Sequence, residues 1–196
     1  GDISRISEIY EAPIWASSIT LSAISYDGTS SSIEEGDSFS LKGPSGIREW
    51  SVIETPGHCP GHICLVGDTG IVSGDNCVVI GTILVPSSDG NMNSYISGLE
   101  RIRSLEPTML FPGHGPACTN PPRLLERYII HRTARHDRVL NAVLSGLSSL
   151  EEITLHAYQD TPDAHPILSR DQALSHLNSL VESKMIEIRA GHYFPS

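Results

Sequence analysis

TPGHCPGH, residues 55–62, closes one apolar run of this 196-residue chain, and FPGHGP, residues 111–116, closes another. Pro and Gly are ordinary turn punctuation. A histidine in third place after each asks for a further reason. The Gly lets the backbone approach a neighbour closely and the Pro stiffens the turn, so each Pro-Gly-His reads as a rigid elbow that presents an imidazole. A third run, GIVSGD, ends on Asp75. His58, Asp75 and His114 therefore each sit just beyond a predicted strand. If those strands run in one direction, the three side chains gather at one rim, where a rigid scaffold usually carries its binding groups. Two imidazoles and a carboxylate suit zinc, iron(II) or manganese. Taken singly, each has a commoner use: a His after Pro-Gly as a cap or turn residue, and Asp75 as the turn cap of Gly-Asp-Asn. Three of them at three strand ends point to a metal.

The runs REWSVIET, HICLVGDTGIVS and PTMLF, rich in Val, Ile and Leu, predict strands, the middle one a hairpin turning at Gly67-Asp68. SYISGLERIRSLEP predicts a helix: Tyr95, Ile96, Leu99, Ile102 and Leu105 recur at helical spacing and Pro107 forces a stop. Upstream, GDISRISEIYEA reads as a short amphipathic helix with Ile3, Ile6, Ile9 and Tyr10 on one side. Residues 13–26 read as one or two strands, and IEEGDSFSLKG as a turn and strand. From Pro121 the pattern is helical up to Gly146, with Pro at the start and Gly at the end as expected punctuation. SSLEEITLHAYQ predicts a short helix and SRDQALSHLNSLVESKM another with Ser169 as its N-cap. MIEIRAGHYF predicts a hairpin turning at Ala190-Gly191. Helix, helix, helix, hairpin is the outline of a winged helix, so two domains are expected, residues 1–146 and 147–196.

With 39% hydrophobic residues the chain can bury one core and a small second one. A formal charge of −10 argues against a broad nucleic-acid surface. Cys59, Cys64, Cys77 and Cys118 show no C-x-x-C spacing, which excludes a zinc ribbon or a thioredoxin-type motif; reduced, buried thiols are expected. No apolar run approaches the ~18 residues of a membrane span, so no membrane partner is expected. Nucleophile-elbow, P-loop and dinucleotide fingerprints are missing. On the long helix, Arg123, Arg127, His131, Arg135 and Arg138 recur at helical spacing as one basic stripe. It could grip phosphates; the plainer reading is a solvated helix face. Residues 147–196 carry only Arg170, Lys184 and Arg189 as cations among several acids, so no DNA binding is expected there.

TPGHCPGH, SGDN and FPGHGP, in this order and spacing, resemble the second half of the metallo-β-lactamase superfamily. YIIHRTARHDRVL and the tail that follows resemble its lactamase-beta-like protein 2 branch, known for endoribonucleases. The resemblance implies an α+β fold, a partial αββα sandwich followed by a small winged-helix-like domain, and metal-dependent hydrolysis with two zinc ions, manganese or iron being alternatives. It implies His58 as ligand of the first metal, Asp75 as the bridging and catalytic carboxylate, and His114 as ligand of the second. His62 would support the ligands or serve simply as a buried, hydrogen-bonded histidine. Arg123, Arg127, His131 and Arg135 would contact substrate. Cys59 stands where Thr or Ser is common in the family and reads as a turn residue.

One departure stands against these matches: the family signature H-x-H-x-D-H occurs nowhere in the chain. GDISRISEI resembles the helix that follows it, so the chain is expected to begin just after that motif, to hold half of the metal site, and to be inactive alone. The alternative is natural loss, leaving a non-catalytic scaffold or assembly subunit. The expected function is that of an endoribonuclease-like phosphodiesterase acting on single-stranded RNA, and the alternative is a glyoxalase-II-like hydrolase of a small ester or thioester. An oligomer or larger assembly stays open, and the expected compartment is intracellular, cytoplasmic or the mitochondrial matrix.

Overall fold

The structure is a computed structural model that describes residues 2–196; Gly1, the first residue of the expected amino-terminal helix, lies outside them. Short turns fix the first pairings. Strand β3 (Ser38–Gly43) folds back into β4 (Gly46–Glu54), and β5 (Ile63–Gly67) into β6 (Gly70–Gly74), the second hairpin turning at Gly67-Asp68 as its sequence predicts. With β7 (Leu110–Pro112) they make one five-stranded sheet in the order β3-β4-β5-β6-β7. β4 pairs antiparallel to β5, β5 antiparallel to β6, and β6 parallel to β7. Three strands, β4, β6 and β7, therefore point the same way and end at one rim. A parallel pair needs a crossover, and helix α3 (Met92–Ser104) lies within it. Asn91 caps that helix by accepting from the Ser94 N–H.

Alternation along the strands sends Ile53, Cys64, Ile71 and Leu110 to one face, where they pack against Tyr95, Leu99 and Ile102 of α3 and Leu125 and Tyr128 of α4 (Pro121–Leu144). The opposite face carries its own apolar row: Val52 pairs with Leu65, Leu65 with Val72, and Val72 with Phe111. Trp50 pairs with Phe39 beside it, and Trp15 meets Phe39 edge-on at a centroid distance of 5.3 Å. Helix α1 (Ile3–Tyr10) buries no residue, so its predicted apolar side, Ile6, Ile9 and Tyr10, is exposed.

Two local expectations change. Residues 13–26 hold a three-residue strand, β1 (Ile14–Ala16), paired in parallel with β2 (Ser30–Ser32), and then a helix, α2 (Ser18–Ala23), where a strand was expected. Ser17 overrides the strand preference. Its hydroxyl accepts the Thr20 N–H as a helix cap, and the Ser17 and Thr20 hydroxyls both donate to Gly61 O, at 2.8 and 3.2 Å. Ser169 does not cap α6 (Pro166–Glu182). The helix starts a turn earlier at Pro166, where a missing N–H is harmless, and the Ser169 hydroxyl donates to Pro166 O.

A second core forms where Val139, Ala142 and Val143 of α4 meet Ile153 and Ala157 of α5 (Leu150–Ala157), Leu177 and Leu180 of α6, and Ile186 of β8 (Ile186–Arg189). β8 turns into β9 (His192–Pro195) through Ala190 and Gly191, both at positive φ, the geometry a two-residue hairpin turn requires. Helix α4 runs through both cores. α6 is also tied to the first of them, since the Met92 N–H donates to Ser179 Oγ at 3.1 Å. Among the described residues no helix is long and apolar enough to cross a membrane.

Between α4 and α6, His136 Nδ1 lies 3.1 Å from His176 Nδ1, and His176 is fully buried with its Nε2 unpartnered. Burial, reinforced by His136, Arg132, Arg135 and His131, holds His176 well below the ordinary imidazole range. The unfolded chain takes up a proton near pH ~6.5 that the folded one refuses. The stabilising difference is therefore complete above that pH and is lost as pH falls below it. Urea unfolding should give a lower unfolding free energy at pH 5 than at pH 7, by up to about 1.4 kcal/mol per pH unit below ~6.5 from this one group. His176→Gln should flatten that slope; an unchanged slope would mean that His176 is not its source.

Candidate metal centre

The rim at the ends of β4, β6 and β7 carries His58, Asp75 and His114. His58 sits half-buried in the loop after β4, and its Nδ1 lies 2.7 Å from Leu84 O. A carbonyl only accepts, so Nδ1 holds the proton of that bond. The ring then turns Nε2 toward Asp75, 3.7 Å from Oδ2. From the other side His114 brings its Nε2 to 3.6 Å from Asp75 Oδ1. Both separations exceed hydrogen-bond length. Asp75 Oδ1 is shut off from solvent without a hydrogen-bond partner, a state that costs free energy unless something completes it. The three residues form two His–Asp pairs sharing one carboxylate. Among the described residues no three His, Cys, Asp or Glu side chains close into a metal cage. A carboxylate set between two imidazoles, with its Oδ1 orphaned, fits a cation held by Asp75 as part of a ligand set.

His62 holds Asp75 from behind. Its Nε2 accepts the Asp75 backbone N–H at 3.1 Å, which leaves the proton on Nδ1, 2.9 Å from Thr55 Oγ1. Thr55 Oγ1 also accepts from Asn76 Nδ2 at 3.0 Å. Burial, then the neighbouring His58, pushes His62 down to about 4 although Asp75 pulls the other way. The ring is neutral at physiological pH, as an acceptor for an N–H must be. His62 thus supports a candidate ligand and is also a hydrogen-bonded interior histidine.

The residue after Asp75 is anchored too. The Tyr95 hydroxyl donates to Asn76 O at 2.5 Å, and the Tyr128 hydroxyl binds both the N–H and the carbonyl of Val78. Asn76 and Thr55 lie inside SGDN and TPGHCPGH, where their buried setting could have been suspected. Leu84 gives no such signal, because it acts through its carbonyl.

Close approach explains the glycines of the elbows. A Cβ on Gly57 (φ +139°) would stand 2.4 Å from the Tyr95 backbone, and one on Gly113 would stand 2.9 Å from Asp75 Oδ1. Gly61, in the second Pro-Gly-His, makes room in the same way for the Ser17 and Thr20 hydroxyls. Cys59 forms a turn, its carbonyl accepting from Gly57 N–H and His62 N–H. Burial pushes its thiol up, which disfavours a thiolate. Among the described residues all four cysteines are free, and burial pushes Cys64 up to about 11 and Cys77 up to about 12.

The basic stripe does not reach the rim as one exposed row. Arg123, Arg127 and His131 are exposed, and Arg127 Nη2 donates to Val79 O. Arg135 is buried, bonded to Ala157 O and Asp160, and Arg138 pairs with the same Asp160. The helical spacing is real; Arg135, toward the end of the row, serves packing because Ala157 O and Asp160 lie against that part of α4.

The sequence profile of the Metallo-beta-lactamase superfamily matches residues 5–114. A Beta-lactamase-like protein 2 homolog from Drosophila melanogaster is 28% identical over 117 residues, 57% of this chain and 38% of the relative. A Bacillus subtilis protein named Probable metallo-hydrolase YqjP is 28% identical over 172 residues, 79% of this chain and 50% of its own length. The chain thus spans half or less of these curated relatives. The crystal structure of a Beta-lactamase domain protein from Burkholderia ambifaria superposes with a TM-score of 0.75 at 22% identity, covering 88% of this chain and 54% of that one. It shares the fold.

Gly57 and Gly46 separate the two costs of adding a methyl. At Gly46 (φ +110°) an added Cβ would meet nothing within 4 Å, whereas at Gly57 it would meet the α3 backbone. Gly46→Ala should cost about 1 kcal/mol of backbone strain, and Gly57→Ala at least about 2 kcal/mol more. Equal urea midpoints for the two variants would show that the elbow does not lean on α3.

Proposed function

The chain belongs to the metallo-beta-lactamase superfamily, and from that premise we propose that it carries part of the active site of a metal-dependent hydrolase. In this reading His58 and His114 would each supply a metal ligand and Asp75 would serve both, with zinc the expected metal and manganese or iron the alternatives. The carrying observation is Asp75: one carboxylate facing two imidazole Nε2 atoms, with Oδ1 buried and unpartnered. Bound divalent ions would lower the pKa of a coordinated water to about 7 and polarise the substrate oxygen. The chain's own residues fix the geometry. Leu84 O holds the His58 proton on Nδ1 and leaves Nε2 free for a ligand bond. His62, neutral, orients the Asp75 backbone without adding a competing charge.

Three donors are fewer than a two-metal centre needs, so the remaining ligands are proposed to lie outside these residues and the chain alone to be inactive. The finer architecture belongs to the same reading. The apolar second face of the sheet, Val52 to Phe111, suits the inner layer of an αββα sandwich. Residues 147–196, with α5, α6 and the β8–β9 hairpin packed on the end of α4, suit a small winged-helix-like domain.

The geometry favours a small ester or thioester as substrate, since Arg132 and Arg135 are buried and occupied by protein acceptors. Single-stranded RNA is a second reading, carried by the exposed Arg123 and Arg127, which line one groove on α4.

Metal analysis tests the site. The intact protein with its full ligand set should hold about two ions per chain. Asp75→Asn should lose both, and Gly113→Ala, which crowds Asp75 Oδ1, should weaken metal affinity by about tenfold or more. Full metal content in Asp75→Asn would end the reading. For the RNA alternative, anisotropy with labelled single-stranded RNA should show binding that falls steeply with salt and weakens in Arg123→Glu/Arg127→Glu. Salt-insensitive binding, or none at micromolar protein, leaves the ester reading.

A further inference from the structure

The segment that steadies His58 is clamped from the helical side of the molecule. Arg132 on α4 donates to Thr82 Oγ1 at 3.1 Å and to Ile83 O. Gln172 on α6 donates to Val85 O at 2.7 Å, accepts the Val85 N–H at 3.2 Å, and accepts Arg132 Nη1 at 3.1 Å. Leu84 sits between the two clamped residues. Its carbonyl holds His58, and the residue also lines a cavity of about 420 Å³ between α4, α6 and the 158–165 loop. Ile83, Tyr158, Ala164 and Leu168 supply further apolar wall.

The charged groups on that wall already have partners. Arg135 lies over the Tyr158 ring at 4.1 Å and donates to Ala157 O and Asp160. Arg132 gives both terminal nitrogens to the clamp just described, while its Nε, shut off from solvent, has no partner. Both guanidiniums are thus engaged by protein acceptors, and the cavity's volume lies within the range of small-molecule sites, about 300–1,000 Å³. The residue that orients a candidate metal ligand is also a wall of the apolar space beside it.

We propose that this cavity receives the apolar acyl group of an ester or thioester whose scissile carbonyl lies at the His58–Asp75 rim. The inference deepens the hydrolase reading and rests on it. Hydrolysis breaks the acyl C–O or C–S bond; the water oxygen goes to the acyl carbon and a proton to the departing alcohol or thiol. Leu84, Ala164 and Leu168 then set which acyl groups fit.

None of the cavity's wall residues in this chain is a candidate metal ligand, so binding can be measured without metal. Straight-chain amides of four, six, eight and ten carbons are titrated into the chain and followed by the methyl NMR signals of Leu84 and Leu168. Affinity should rise about fourfold per added methylene until the cavity is full. Ala164→Trp and Leu168→Trp, at the solvent-facing edge of the cavity, should each weaken octanamide binding at least tenfold. Val72→Ser, on the exposed apolar sheet face, should leave it unchanged. Affinity independent of chain length, binding retained in both Trp variants, loss of binding in Val72→Ser, or displacement of octanamide by an oligoribonucleotide would each overturn the proposal. Thermal unfolding of the Trp variants confirms that they fold; if neither does, Ala164→Leu, a smaller filling, decides by the same tenfold criterion. The two readings fail separately. Absent amide binding with Asp75-dependent metal content intact removes the acyl site alone, and metal content indifferent to Asp75→Asn removes the hydrolase reading whatever the amides do.

Discussion

Parallel pairing of β6 with β7, Ile71 opposite Leu110 and Val72 opposite Phe111, is the constraint on which the site depends. It makes the ends of both strands leave the sheet on the same side, so Asp75 and His114 meet. Two antiparallel steps from β6 through β5 to β4 restore the same direction and bring His58 to the rim as well. Reversing any one of the three strands would move its residue, His58, Asp75 or His114, to the opposite edge of the sheet. α3 accomplishes the crossover, and its burial of Tyr95, Leu99 and Ile102 under the sheet is the main apolar cement of that arrangement.

Behind the rim stands a layer of buried polar groups whose roles follow from their donors and acceptors. His62 can accept from the Asp75 N–H only because Thr55 takes its other proton, and Thr55 is in turn reached by Asn76. Tyr95 and Tyr128, whose rings belong to the apolar core, use their hydroxyls to pin the backbone of residues 76 and 78. In a low-dielectric interior such chains of satisfied groups hold one geometry, because any displacement leaves a polar atom unpaired. Asp75 Oδ1 and Asn76 Oδ1 are left without partners in that layer, and the first belongs to the carboxylate that faces both imidazoles.

The carboxyl-terminal third bears on the rim through backbone, not through charge. Arg132 and Gln172 reach across from α4 and α6 to hold residues 82–85, and through Leu84 O they fix His58. Of the arginines that a linear reading assigns to substrate, Arg123 and Arg127 near the start of α4 are exposed, whereas Arg135 is buried and binds the protein itself. Helical spacing determines which residues share a side of a helix; it does not say what lies opposite that side.

The sequence by itself determined the strand-ending motifs, the long helix from Pro121, the helix at Tyr95 and both hairpin turns, because each is encoded by neighbours: apolar periodicity, Pro and Gly at the ends, Gly-Asp and Ala-Gly at the turns. It also singled out His58, Asp75 and His114, since three potential ligands after three strands is a local pattern repeated. Tertiary structure decided the rest. Residues 18–23 became a helix because Ser17 and Thr20 find Gly61 O, a carbonyl more than forty positions away. Arg135 went inward because Ala157 O arrives from the end of the next helix and Asp160 from the loop after it. Leu84 gained its part in the site through a main-chain carbonyl, which every residue possesses and which no side-chain pattern can mark.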